Sequence, residues 1–226
     1  PLQSRVAEEI RKAMANHQRH LLWAVTGAGK TEMMFSTIEQ ALKKRERICI
    51  ASPRVDVCLE LFPRLQRAFQ KTPMVLLYGQ QEQPYQYCQL TVCTTHQLLR
   101  FYHAFDLLIV DEVDSFPYVA NSQLLFATNQ AQKPAGGLLL MTATPGKTLL
   151  REVRRRQLTV SYLPLRYHGH LLPEIKRIKI SSKWRCRLAH GGLPFTVIRW
   201  VNRHVQTKKC FLMFVPHVAD LTPVAY

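Results

Sequence analysis

The stretch Leu21-Leu-Trp-Ala-Val-Thr-Gly-Ala-Gly-Lys-Thr31 decides the fold of this chain. Its first part, Leu21–Val25, is a short apolar run that predicts a buried strand, and a helix is predicted from about Lys30 to Leu42. A glycine-rich turn between a strand and a helix lets backbone N–H groups point at phosphate oxygens, and the helix adds the positive end of its dipole. The stretch therefore predicts a phosphate-binding loop, although Ala24 stands where the strictest form of the pattern has glycine.

The side chains of this loop suit a nucleoside triphosphate. Lys30 can neutralise the charge of the β- and γ-phosphates, and the Thr31 hydroxyl can bind Mg²⁺. The alternative is a glycine-rich turn without a function, and the pattern G-x-G-K-T in this setting argues against it. We therefore expect ATP and Mg²⁺ as cofactors, and we predict nucleotide binding by Thr26, Gly27, Ala28, Gly29, Lys30 and Thr31.

An acidic cluster follows a second apolar run, Phe105–Val110, which predicts a strand covered on both faces. Asp111, directly after it, would lie at the carboxyl edge of the sheet and reach Mg²⁺ through water. Glu112 would orient or deprotonate the attacking water. Alone, D-E-x-D is a weak signal because acids often follow strands, but the glycine-rich loop earlier in the chain strengthens it. The predicted catalytic residues are Lys30, Asp111 and Glu112.

A third signal is Thr142-Ala-Thr144-Pro145, directly after the predicted strand Gly137–Met141. Its hydroxyls would lie at the same edge of the sheet, within reach of the acidic cluster. The alternative is an ordinary turn in which threonine caps the next helix. Because it comes third in this order, we favour a role in coupling nucleotide chemistry to movement, shared by Asp114, Thr142 and Thr144.

The chain of 226 residues alternates predicted strands with predicted helices, which indicates a parallel α/β sheet. The pattern weakens near residue 161, so a first domain is placed at 1–160 and the incomplete start of a second at 161–226. The predicted elements of the second part are the strands Glu174–Ile180 and Cys210–Val215, with the helix Phe195–Val205 between them. Six cysteines without a C-x-x-C pair predict reduced, buried thiols.

The positive charge of the chain is concentrated after the three motifs. The formal net charge is +16, and residues 151–210 hold 15 basic side chains against two acidic ones, Glu152 and Glu174. A solvated basic face that serves solubility is the alternative, but so uneven a balance favours a polyanionic partner. The sequence contains no apolar run long enough to span a membrane.

In this order the three motifs resemble those of superfamily 2 helicases, which implies a RecA-like domain with a parallel sheet flanked by helices. The resemblance adds Gln3 as the residue that reads adenine. It also implies that turns after three other strands contact the DNA backbone. The first strand of a second RecA-like domain is similar to Phe211-Leu-Met-Phe-Val-Pro216. The DNA-binding residues carried over from this resemblance are Ser52, Pro53, Arg54, Gly79, Thr94, Thr95 and His96.

The variants AVTGAGKTEM, SPRVDV, DEVDSFPY and TATP are similar to those of the ComFA family, the ATP-driven translocases of bacterial competence. This resemblance implies a DNA-dependent ATPase that moves single-stranded DNA during DNA uptake and transformation. It also implies competence partners, namely a membrane DNA channel and a ComFC-type protein, and a cytoplasmic location that includes the inner face of the cell membrane. The ComFA pattern has a four-cysteine zinc module before the motor and arginines from a complete second domain, and this sequence has neither.

Two alternatives stay open at this point. One is a PriA-like helicase that unwinds duplex DNA in replication restart. The other is a nucleic-acid-binding module that keeps the fold but is catalytically incomplete, because the motifs that complete the second domain are absent. If the chain is part of a ComFA-type translocase, it is likewise expected to hydrolyse ATP only weakly by itself.

Overall fold

A computed structural model of the chain describes residues 2–79, 85–166, 192–208, 210–215 and 218–221. The chain divides into two compact units, Pro1–Leu172 and Pro173–Tyr226. This division lies later than the boundary predicted after residue 160, because a last strand at 159–163 joins the sheet of the first unit.

The first unit is built on a parallel sheet, which confirms the predicted α/β architecture. Every pair of neighbouring strands in it is parallel, and the order is β3-β4-β2-β5-β6-β1-β7. The strands are β1 (Arg19–Ala24), β2 (Ile48–Ser52), β3 (Met74–Leu77), β4 (Leu90–Thr94), β5 (Phe105–Val110), β6 (Gln132–Thr142) and β7 (Thr159–Leu163).

Helices cover both faces of this sheet, as parallel strands with apolar side chains on both sides require. The amphipathic first helix buries Val6, Ile10, Ala13 and Met14. Two separate apolar clusters form the core, one on each face of the sheet. The helices are α1 (Leu2–Ala15), α2 (Lys30–Lys43), α3 (Val55–Ala68), α4 (Ser122–Ala131) and α5 (Lys147–Arg154), with short 3₁₀ turns at Thr95–Arg100 and Tyr118–Ala120.

The strand order brings the three motifs together. The strand β6 lies between β1 and β5, with Trp23 paired to Thr142 on one side and Val110 paired to Leu140 on the other. Because all the strands run in the same direction, the glycine-rich loop, the threonine motif and the acidic cluster emerge side by side at the carboxyl edge. The predicted DNA-contacting turns follow β2, β4 and β3, and they continue along the same edge.

The second unit is described in part. Its helix α6 (Phe195–Gln206) confirms the helix predicted at 195–205. Residues 210–215 form no strand, so the strand predicted there is wrong; an apolar stretch becomes a strand only beside a partner, and the described residues of this unit supply none. Instead, Phe211 packs edge-on against Trp200 of α6, with ring centroids 5.1 Å apart. The strand predicted at 174–180 lies outside the described residues.

A buried histidine joins the edge strand β7 to the rest of the sheet. The Nδ1 atom of His20 lies 2.7 Å from the Thr159 hydroxyl, and its Nε2 atom lies 3.0 Å from the Ser161 hydroxyl. Ser161 in turn donates a hydrogen bond of 2.5 Å to Glu9 on α1. Burial lowers the pKa of His20 from its ordinary 6.5 to about 4, although the nearby charge of Glu9 opposes the shift.

This pKa shift predicts that the fold loses stability in mild acid. At pH 5 the folded protein keeps His20 neutral while the unfolded chain binds a proton there, so the free energy of unfolding falls as the pH drops from 6.5 toward 4. Between pH 7 and pH 5 the wild type should lose about 2 kcal/mol more than His20→Gln, as measured by urea denaturation. The exposed His96 supplies the control, since His96→Gln should keep the wild-type pH dependence. Equal losses in wild type and His20→Gln would contradict this account.

Candidate active site

The loop after β1 has the backbone conformation that phosphate binding requires. Gly27 and Gly29 have φ angles of +78° and +80°, a region that residues with side chains rarely adopt. The N–H of Ala28 donates to the Val25 carbonyl over 3.1 Å, which closes the turn. Gly29 is the N-cap of α2, so the loop leads directly into the positive end of that helix.

Asp111 is fixed at the end of β5. Its N–H donates to the Ala51 carbonyl of β2 over 2.9 Å, and its carboxylate accepts a 2.8 Å hydrogen bond from the N–H of Glu112. Burial raises the pKa of Asp111, and the positive charge of Lys30 counteracts part of that rise. Lys30 and Asp111, two of the three predicted catalytic residues, therefore interact electrostatically, and both line one cavity.

Glu112 is held in an unusual backbone conformation. Its φ angle is +51°, and such a left-handed conformation costs about 1–3 kcal/mol, so it persists only where neighbouring structure holds it. Its carboxylate accepts a 3.3 Å hydrogen bond from the Ser115 hydroxyl and lies 3.7 Å from the guanidinium of Arg54. Arg54 also pairs with Asp56, so it bridges two acids at the carboxyl edge. Sequence reasoning missed this bridge, because the two residues belong to motifs far apart in the chain.

Asp114 and the threonine motif form one hydrogen-bonded group. Burial works against ionisation of Asp114, but hydrogen bonds from Thr142 and Thr144 outweigh it and lower the pKa of this acid. The N–H of Thr144 donates to the Thr142 hydroxyl over 2.9 Å, and the indole of Trp23 on β1 donates to the Ala143 carbonyl over 3.1 Å. The threonine motif is thus tied both to the acidic cluster and to the strand that carries the phosphate loop.

A cavity of about 410 Å³ opens between these motifs. The α3 side chains in its wall come at helical spacing, and sequence reasoning missed them because that spacing indicates a helix but not a site. Arg64 on that helix pairs with Glu32 of α2, so α2 and α3 meet at the rim. The lining residues are Thr26, Gly27, Lys30, Thr31, Val57, Glu60, Leu61, Arg64, Asp111, Glu112, Asp114, Ser115 and Ala143.

The remaining predicted site residues lie outside this cavity. Gln3 lies half-buried in the first turn of α1. After β2, Ser52 and Pro53 are buried and Arg54 is exposed, while the Ser52 hydroxyl accepts a hydrogen bond from the N–H of Arg54. Only Arg54 in this turn therefore presents a charged side chain to solvent.

The predicted DNA-contacting residues of the turns after β3 and β4 are partly buried. Thr94 and Thr95 are buried, and the Thr95 hydroxyl has no hydrogen-bond partner. His96 is exposed, and Gly79 is exposed with a φ angle of +45° and open space around it. At the turn after β4 a ligand would meet the imidazole of His96.

Two kinds of sequence relative match the chain. Residues 1–147 match the family described as type III restriction enzyme, res subunit. The chain is also 42% identical over 223 residues to a competence protein ComFA of Bacillus subtilis, and 46% identical over 182 residues to one of Streptococcus pneumoniae. These matches cover 99% and 80% of this chain but 48% and 42% of the relatives, so the chain spans about half the length of the curated relatives it matches.

Two solved helicase structures share the fold of the chain. A hypothetical ATP-dependent RNA helicase from Sulfolobus tokodaii and the Hef helicase domain of Pyrococcus furiosus each superpose with a TM-score of 0.56 at 17% identity. They cover 70% and 71% of this chain, and this chain covers 51% and 37% of them. Within the described residues, no helix is long and apolar enough to cross a membrane.

Proposed function

The chain belongs to the family of the type III restriction enzyme res subunit, and on this premise we propose that it carries the ATP-binding half of a motor that moves along single-stranded DNA. The observation that supports this most is the convergence of the phosphate loop, the acidic cluster and the threonine motif on one cavity. The two solved helicase structures support only the fold, because both are below 20% identity to this chain.

In this proposal each motif does one part of the chemistry. The loop N–H groups and Lys30 bind the phosphates, and Glu112 accepts the proton of the attacking water. Thr31 and Asp111 supply the hard oxygen ligands that suit Mg²⁺ when phosphates provide the rest, and both line the cavity. A bound Mg²⁺ would neutralise the charge that develops on the phosphates during transfer.

Single-stranded DNA is the proposed track, and its proposed contacts are the turns after β2, β3 and β4, where Arg54, Gly79 and His96 are exposed. Contacts to phosphates carry no sequence information, which suits a motor that must move over any sequence. The link from Arg54 to Glu112 supports a coupling between DNA and hydrolysis. A DNA phosphate that attracts Arg54 would weaken its hold on Glu112 and free that carboxylate for the water.

Replacing Arg54 by alanine should therefore weaken DNA binding and change how it depends on salt. Loss of one phosphate contact should make the plot of log affinity against log salt concentration less steep by about 0.7 for single strands. Fluorescence anisotropy with a labelled oligonucleotide at several salt concentrations measures this slope. Arg67→Ala, which removes an exposed arginine from α3, should leave both affinity and slope unchanged. An unchanged slope for Arg54→Ala would remove Arg54 from the DNA contacts.

Competence is the proposed setting, because the two curated relatives are competence proteins. The proposed partners there are a membrane DNA channel and a ComFC-type protein. ATP-dependent displacement of streptavidin from biotinylated single-stranded DNA by the intact protein tests translocation. Displacement without unwinding of a flanking duplex is expected. Unwinding of that duplex would favour the PriA-like alternative, and no effect of ATP would favour a nucleic-acid-binding module.

A further inference from the structure

An arginine just beyond β7 packs against the phosphate loop. The end of β7 is fixed there by a 3.1 Å hydrogen bond from the Val25 N–H to the Leu163 carbonyl. Three residues later, the guanidinium of Arg166 lies over Gly27, so close that a Cβ at Gly27 would be 3.1 Å from its Nε and 3.4 Å from its Nη2. A side chain at position 27 would require the guanidinium to shift by a few tenths of an ångström, and it would be strained by the positive φ angle of that position.

Arg166 differs from two other arginines around the site, which pair with acidic side chains among the described residues. Arg54 pairs with Asp56 and Glu112, and Arg64 pairs with Glu32 and Glu60. In the part of the chain that the structure describes, Arg166 makes no ion pair. A half-buried guanidinium without a carboxylate, beside a loop that already carries Lys30, gains most from an anion held by that loop.

We propose that Arg166 is a further nucleotide-contacting residue, whose guanidinium donates hydrogen bonds to the phosphate chain. The proposal rests on the proposed function, since it needs the loop to bind a nucleotide. The planar guanidinium has several N–H donors in a fixed fork, which matches two oxygens of a phosphate better than an ammonium does. Arg166 would thus be a second cation of the first unit, besides Lys30, that contacts the phosphates.

Equilibrium binding of fluorescent ATP, ADP and AMP analogues and of adenosine, in the intact protein, tests this role. Arg166→Ala should weaken binding of the ATP analogue about tenfold or more, as expected for loss of hydrogen bonds to a charged group. The AMP analogue should lose least among the nucleotides, and adenosine should lose nothing. The affinity of Arg166→Lys for the ATP analogue should lie between those of the wild type and Arg166→Ala, because lysine keeps the positive charge but lacks the planar fork of N–H donors. Arg155→Ala, an exposed arginine after α5, should bind like the wild type.

The outcomes separate this proposal from the function on which it rests. If Lys30→Ala weakens ATP binding while Arg166→Ala and Arg166→Lys bind every nucleotide like the wild type, the loop assignment stands and the Arg166 proposal is overturned. An equal loss for ATP and adenosine would overturn the phosphate contact as well. A wild type that binds none of the nucleotides would overturn both. Matching thermal unfolding of the variants and the wild type confirms that a loss of affinity is not a loss of fold.

Discussion

Replacing Lys30 by alanine should abolish ATP turnover in the intact protein, reducing it by about 100-fold or more. Lys30 begins α2 at the loop, lines the cavity and counteracts the raised pKa of Asp111, so it is the cation placed to meet the triphosphate. Its removal takes away the only lysine among the described residues that line the cavity. Steady-state phosphate release at saturating ATP measures the effect.

A matched control is Lys43→Ala, which removes an exposed lysine from the last turn of the same helix, where it pairs with Glu39. That variant should keep wild-type turnover. Retained turnover in Lys30→Ala would show that the glycine-rich loop is not the site of hydrolysis, and the assignment of the whole cavity would fail with it.

Replacing Glu112 by glutamine should stop hydrolysis while leaving ATP bound. Glutamine keeps the size of the side chain and can still accept a hydrogen bond from Ser115, but it cannot take a proton from water. Loss of a general base lowers the rate by about 100- to 10,000-fold. Turnover and the dissociation constant of an ATP analogue, measured on the same preparation, separate the two effects.

Glu39→Gln, on the exposed face of α2, is the control for this variant and should behave as the wild type. A Glu112→Gln protein with undiminished turnover would exclude Glu112 as the base. One that no longer bound ATP would give Glu112 a role in forming the site rather than in the chemical step.

The local features of the site could be predicted from sequence because they depend on neighbours in the chain. The apolar run Phe105–Val110 has the bounds that the structure gives it. The glycines of the phosphate loop follow from the positive φ angles of a tight turn, which few other residues tolerate. The predicted convergence of the three motifs relied on the common direction of the strands, whose carboxyl ends share one edge of the sheet.

The features that escaped prediction depend on distant pairing. Nothing in the run Thr159–Leu163 indicates that it joins the sheet beside β1, and the link between Arg54 and Glu112 arises only once β2 and β5 pair. The left-handed backbone of Glu112 has no local signal, since glutamate has no preference for that conformation. Because a strand needs a distant partner to pair with, residues 210–215 form no strand although they are apolar.

The most direct test of the central claim is the rate of ATP hydrolysis by the intact protein as single-stranded DNA is added. A motor whose hydrolysis is coupled to DNA through the carboxyl edge should turn over slowly alone and faster as DNA binds, and added salt should reverse the stimulation because it weakens phosphate contacts. Turnover that is the same with and without single-stranded DNA, or no turnover in either condition, would contradict the account.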